Sequence, residues 1–503
     1  MKKFLRIYSK LVLLSIFFIA AAVLIIHFVA TTYGFYFTGD TITFFVPAYP
    51  GHKGDLLAVF AWFYPSFPPL ISFVFNFLRF LPFSFITQHH IYLIVSTLLS
   101  VLITYLIVKK ITSIKKWHLV LVSLFLFTGS QSLLFLAALS EPLFIFFWLA
   151  AIYTTERFLS TKKERYLLLF IIFAGLIPIT RYIGIFVVAS LEIVIILFTY
   201  FTKKEKKYSI PLVLTSLILA WVPILITMIR NHLIAQSFFG HFDRQFQPMF
   251  TVLSGMLGDF SHTLISGRDL ILILLIGPII GTQIKWNKSI KNFIILSSLS
   301  ITIYYLNLIV ILTNYRNEQA IPFRYFAAAY PILMLLTLSL GSLFIRRFPK
   351  FQKFVILSLI IAVLVFASEL TTSINRFISE VKSNQSVITG GNNIHAGAEH
   401  SADIRRFCRG KTKNKFLLLQ ESSRNWIAQS LNFYCQPIEM VSMKESSFKF
   451  PKGSLIYSPY KITNLHIEAV ETYKGVKEVI LYRTKNQTVL DINEITKKLQ
   501  FLD

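Results

Sequence analysis

The 503-residue sequence is short of acid, of charge in general and of cysteine. Asp and Glu number 24 against 50 Lys and Arg, and charged residues make up 15% of the chain. Its two cysteines, Cys408 and Cys435, both lie in the C-terminal tail, so there is no CxxC pair and no Cys/His cluster of metal-ligand spacing. The scarcity of carboxylates argues mildly against a divalent-cation site, which needs several oxygen ligands. No internal repeat or low-complexity tract is present. Low charge, 55% hydrophobic and 16% aromatic residues, and a mean hydropathy of +0.63 exclude an ordinary soluble domain.

What the chain has instead is apolar runs. Each is roughly 20 residues long, enough to cross about 30 Å of hydrocarbon. They do not alternate as barrel strands do, so backbone satisfaction in lipid requires helices. Eleven spans are predicted, at about 11–31, 88–108, 117–136, 140–158, 166–180, 183–202, 209–229, 270–284, 293–313, 323–345 and 354–371. Residues 70–81 form a shorter apolar piece, read as an interfacial or re-entrant helix within the long 32–87 loop. Residues 1–31 have the basic start and apolar core of a signal peptide, but the run is long for one and is read as an uncleaved first span.

The net charge of +26 falls in short basic clusters between the runs. It therefore reads as topology rather than as a nucleic-acid footprint. With Lys2, Lys3, Arg6 and Lys10 cytoplasmic, the strong Lys/Arg clusters all fall on that side. The polar turns at Asp40, Glu141, Arg181, Arg230 and Glu318 fall on the other. The expected architecture is an all-α transmembrane domain over 1–371 and an extracytoplasmic α/β domain over 372–503, in a multi-pass cell-membrane protein. In the tail, 415–420, 454–458 and 478–483 read as strands and 424–431 as a helix. Cys408 and Cys435 are either a disulfide or two buried thiols.

The candidate chemistry lies on the outer side. Asp40, in Gly39-Asp40-Thr41, sits a few residues past the first span, where a charge is expensive. It reads either as a general base or as a loop or cap carboxylate. Glu141 also has two readings. Ser140-Glu141-Pro142 starts a helix, with Ser as cap, the carboxylate at the positive end and Pro in the first turn. Alternatively, Glu141 is a second catalytic carboxylate in the same cavity. Arg181, Arg230, Arg316 and Arg324 lie near outer span ends, where basic residues are uncommon, and Lys53 lies in the first loop. Guanidinium grips phosphate bidentately and stays charged, so these are candidate phosphate ligands; interface anchors or partners for Glu318 are the alternative. Glu192, inside the sixth span, is either functional or a structural acid, protonated or paired with Arg. Glu156, Glu164 and Glu205 are expected to be solvated partners of Lys and Arg. The histidines fit no metal spacing, and no cofactor is called for.

Five pieces carry a family resemblance. They are Gly39-Asp40 with Tyr49; Phe67-Pro68-Pro69-Leu70; Leu139-Ser140-Glu141-Pro142-Leu143-Phe144; Thr180-Arg181-Tyr182-Ile183-Gly184; and Arg324-Tyr325-Phe326 with Tyr330-Pro331. In order and spacing they resemble the GT-C superfamily of polyprenyl-phosphate-sugar-dependent glycosyltransferases, in the branches of the protein O-mannosyltransferases and lipid A aminoarabinose transferases. The resemblance implies an outward-facing site and a polyprenyl-phosphate sugar donor. It also implies inverting transfer to a glycan, lipid or protein acceptor, with Asp40 deprotonating the acceptor and the arginines holding the departing phosphate. Many relatives carry Asp-Glu where this chain has Asp40-Thr41, which argues against the O-mannosyltransferase branch. Two other classes are the alternatives. A transporter or flippase of lipid-linked sugars favours internal repeats and midplane polar residues. An O-antigen polymerase or ligase is organised around later loops.

Overall fold

The computed structural model describes residues 68–78, 85–111, 140–201, 210–235, 237–239, 288–314, 328–347, 415–419, 439–442, 447–458, 467–473 and 479–491. Eight helices lie among them: α1 (Leu70–Leu78), α2 (Phe85–Ile111), α3 (Glu141–Thr161), α4 (Glu164–Thr180), α5 (Gly184–Phe201), α6 (Ile210–Ala235), α7 (Lys288–Asn314) and α8 (Tyr330–Arg347). Four contain stretches long and apolar enough to cross a membrane: Ile91–Ile111, Glu141–Thr161, Val213–Leu233 and Ser289–Ile311. At about 1.5 Å per residue each reaches just over 30 Å. Shorter apolar helices run over Gly184–Tyr200 and Tyr330–Leu340.

Helix α1 falls on the short apolar piece, and α2 to α8 fall on the second, fourth, fifth, sixth, seventh, ninth and tenth expected spans. The expected spans at 11–31, 117–136, 270–284 and 354–371 lie outside the described residues. So do Asp40, Lys53, Arg316, Arg324, both cysteines and the proposed 371/372 domain boundary.

The sequence of α3 is apolar around its whole circumference, and it is buried accordingly, packed on α2, α4, α5 and α7. Phe144 and Trp148 meet at 5.5 Å between ring centroids, Trp148 meets Tyr304 of α7 at 4.9 Å, and the indole Nε1 donates to Ser300 Oγ at 3.3 Å. Buried hydroxyls satisfy themselves locally. Ser96, Ser100, Thr104, Thr154 and Ser339 each donate to a carbonyl one turn back. Helix α6 packs mainly on α4. A β-carbon at Gly175 would stand 3.2 Å from both the Ala220 carbonyl oxygen and Pro223 Cγ, so a small residue sets this approach. Leu214, Ile218, Ile226 and Ile229 of α6 are exposed, as a lipid-facing surface would be.

Helix α2 runs parallel to α3, with Ser100 beside Pro142 and Lys110 beside Glu156, while α7 runs antiparallel to it, and the two ends of the bundle differ in chemistry. At one end stand Lys109, Lys110, Arg157, Lys162, Lys163, Arg165, Lys288 and Lys291. There Lys110 Nζ pairs with Glu156 Oε2 at 2.9 Å, while Ser160 and Ser289 each donate to Glu156 Oε1 at 2.6 Å, tying α2, α3 and α7 together. The expectation that Glu156 is solvated is corrected: it is 3% exposed, because its side chain is turned toward α2 and α7. Its partnership with a lysine holds. Glu141, Arg181 and Arg230 lie at the opposite end, as the charge parity predicts. Glu192 accepts from Trp221 Nε1 at 2.7 Å, and among the described residues no arginine pairs with it.

The described C-terminal residues form strands β1 (Lys415–Leu419), β2 (Glu439–Ser442), β3 (Ser447–Phe450), β4 (Leu455–Ser458), β5 (Ile467–Tyr473), β6 (Val479–Thr484) and β7 (Thr488–Asp491). Five make one sheet in the order β2-β1-β4-β6-β5, in which β1 runs parallel to both neighbours and β6 antiparallel to both of its own. β3 and β7 pair separately as an antiparallel ribbon. The three strands expected from sequence are β1, β4 and β6. The helix expected at 424–431 lies outside the described residues.

Candidate functional site

The site residues that the structure describes sit where α3 begins, α4 ends and α6 ends. Pro142 and Glu141 fit the first turn of α3: the ring supplies a helical φ, and the carboxylate meets the positive end of the helix. The expected Ser140 cap is corrected. Ser140 has helical φ and ψ and makes no side-chain cap bond; its Oγ instead lies 3.4 Å from Glu141 Oε2.

Helix α4 closes through Arg181 N–H donating to the Ile177 carbonyl at 3.0 Å, and Arg181 itself is extended (φ −150°, ψ 126°). Its carbonyl then accepts from Gly184 N at 2.8 Å, so the chain turns into α5 within a few residues. Gly184 is required by space. A β-carbon there would run into Ile177 Cγ2 and lie 3.0 Å from the Ile177 carbonyl carbon and oxygen. The tight corner fixes where Arg181 and Tyr182 stand.

Two sequence candidates meet at this corner. Arg181 Nη1 pairs with Glu141 Oε1, and the Arg181 guanidinium carbon lies 5.9 Å from the Phe144 ring centroid. Glu141 is 1% exposed and Arg181 8%, so each ion has left water and relies on the other. Next door, Arg230 Nη1 donates to Asn231 Oδ1 at 3.1 Å. Asn231 Nδ2 donates to Tyr182 Oη at 2.9 Å and to the Phe238 carbonyl at 3.0 Å. Tyr182 packs edge-on against Phe239, and His232 stacks on Phe238. Burial pushes the Tyr182 phenol up to about 12, against the lowering effects of the Asn231 hydrogen bond and the Arg230 charge. It is therefore neutral near pH 7.

Each of the two arginines is thus next in sequence to a member of one bonded pair, Tyr182 and Asn231, and both stand on the same rim of the bundle. Sequence reasoning passed over Asn231. The available signal was its position beside Arg230 at an expected span end, where a buried amide needs partners for both ends. Fixed guanidiniums among apolar walls suit a phosphate or another multi-oxygen anion. Among the described residues, no three His, Cys, Asp or Glu side chains are grouped so as to hold a metal ion.

Fold and helix composition together define a multi-pass membrane protein, and its fold is similar to that of two solved structures. Both are of ArnT from Cupriavidus metallidurans. The undecaprenyl-phosphate-bound form matches with a TM-score of 0.59 and 11% identity over 93% of this chain and 97% of that one. The apo form matches with a TM-score of 0.57, the same identity and the same coverage. At 11% identity the likeness is one of fold. No protein-family model matches this chain, and no curated protein sequence matches it.

Proposed function

We propose that this protein is an inverting membrane glycosyltransferase that moves a sugar from a polyprenyl-phosphate donor to an extracytoplasmic acceptor. The observation that carries the reading is the buried Glu141–Arg181 pair on the same rim as Arg230 and Asn231. A fold shared with a structure that holds undecaprenyl phosphate supports the donor class. In this reading Asp40 is the general base that takes the proton of the acceptor hydroxyl as it attacks the anomeric carbon. Arg181 and Arg230, with Arg316, Arg324 and Lys53, stabilise the charge that gathers on the departing lipid phosphate.

Glu141 serves by holding the Arg181 guanidinium in place, since its carboxylate is already committed to that cation. The rim faces outward, the Glu156 end faces the cytoplasm, as the basic residues there favour, and the C-terminal sheet belongs to an extracytoplasmic domain.

The test compares wild type with Asp40→Asn in matched detergent, over a panel of polyprenyl-phosphate sugars with and without acceptors. Free polyprenyl phosphate is the readout. Sugar-dependent release by wild type, lost in a folded Asp40→Asn, is the expected result. Equal release by both removes Asp40 from the mechanism. Donor translocation in liposomes without release would assign the chain to transport.

A further inference from the structure

At the Glu156 end, the α3–α4 hairpin gathers two guanidiniums on one phenol. Arg157 Nη2 donates to Tyr166 Oη at 3.2 Å and Arg165 Nη2 donates to it at 3.3 Å. Both guanidiniums also lie over the ring, at 5.1 and 5.0 Å from its centroid. Like charges repel, and two that converge on a neutral hydroxyl call for an anion between them.

The nearby carboxylates do not supply it. Glu156 is taken up by Lys110, Ser160 and Ser289. Glu164 forms no ion pair with either arginine. Arg157 keeps a buried Nε–H with no hydrogen-bond partner, while Arg165 is exposed and open to the surface. The Tyr166 hydroxyl accepts twice and has its own proton left to donate. The Arg157 Nε–H, the exposed Arg165 guanidinium and the Tyr166 proton are thus donors still to be used, which selects a ligand made of acceptor oxygens. The cluster sits where the apolar length of α3 gives way to Lys162 and Lys163, at the level of lipid headgroups.

We propose that Arg157, Arg165 and Tyr166 form a binding site for a phosphate-bearing anion, supplied as the headgroup of an anionic phospholipid in the leaflet at this end of the bundle. The site is separate from the Arg181 rim and does not depend on the glycosyltransferase reading.

The test uses the purified full-length protein in a neutral detergent, with added phosphatidylglycerol, phosphatidylcholine or inorganic phosphate. Thermal unfolding and native mass spectrometry of retained lipid are the readouts. Phosphatidylglycerol is expected to be retained and to raise the unfolding midpoint by several degrees, with phosphatidylcholine inert. Arg165→Gln changes an exposed residue and Tyr166→Phe removes only the hydroxyl, so both report on binding without threatening the fold. Each should weaken phosphatidylglycerol retention about tenfold, the worth of one charge-assisted hydrogen bond, and Arg157→Gln/Arg165→Gln should abolish it. An equal, arginine-dependent shift with inorganic phosphate alone would support the site and assign it to free phosphate. Undiminished retention by Arg165→Gln and Tyr166→Phe, or an equal shift with phosphatidylcholine, would overturn the proposal.

Discussion

Glu141→Gln leaves Arg181 a cation without its counter-charge in a corner where both side chains are more than nine-tenths buried. Removing one partner of a buried pair costs about 3–5 kcal/mol, mostly from the ion left behind. Arg181→Gln should cost a similar amount for the mirror reason. The double variant leaves two neutral amides, so its loss should fall well short of the sum, with a coupling of roughly 3 kcal/mol. The assay is release of polyprenyl phosphate from its sugar, with unfolding followed in the same detergent. If Glu141 acts by holding Arg181, kcat/KM of Glu141→Gln falls by about a hundredfold or more, at a factor of ten per 1.4 kcal/mol, and adding Arg181→Gln lowers it little further. Losses that simply multiply, with a coupling below about 0.5 kcal/mol, would refute this. Glu141 would then act on its own, as an independent catalytic carboxylate does.

Gly184→Ala forces a β-carbon into Ile177 and should lower stability by about 1–3 kcal/mol, together with donor turnover, because the corner carrying Arg181 must shift. Asn231→Ala removes the hinge between Arg230 and Tyr182 and should raise KM for the donor more than it lowers kcat. Asn231→Asp keeps an acceptor for Arg230 but loses both amide donors, and should recover part of that KM. Lys162 closes α3 at φ 57°, a conformation that glycine adopts freely, so Lys162→Gly should raise the unfolding free energy by about 1 kcal/mol.

The helices were legible because their signal is redundant. Each described span is an uninterrupted apolar run closed by charge, and the alternation of basic and sparse ends fixes direction without any contact being known. The strands at β1, β4 and β6 were legible because Leu, Ile, Val and Tyr dominate them. β2 and β3, at Glu439-Met440-Val441-Ser442 and Ser447-Phe448-Lys449-Phe450, are four-residue segments with too few apolar positions to stand out from turns. Partnership was the part that sequence could not give. Glu141 and Arg181 were both named, yet their pairing depends on how α3 and α4 stack, which no spacing along the chain encodes. Glu156 was misread for the same reason: its neighbours in sequence are polar, while its neighbours in space come from α2 and α7.

Stability alone does not account for the buried Glu141–Arg181 pair or the half-buried Lys110–Glu156 pair, since apolar side chains of matching volume often replace such pairs without loss. What distinguishes them is what lies beside each. The Lys110–Glu156 carboxylate is saturated by one ammonium and two serine hydroxyls, and it ties three helices at the end of the bundle opposite the Arg181 rim. Replacing that pair by Met and Leu should leave donor turnover within about twofold of wild type, because Ser160 can turn back to a carbonyl of its own helix and Ser289, in the first turn of α7, stands at a helix end. The Glu141–Arg181 pair stands instead on the rim that carries Arg230 and Asn231, where an oriented guanidinium has a task that an apolar residue cannot perform. Replacing it by Leu and Met should leave the unfolding midpoint close to wild type and abolish polyprenyl-phosphate release. If the two replacements were equally harmless to turnover, both pairs would be only structural staples, and the phosphate site would have to be sought elsewhere.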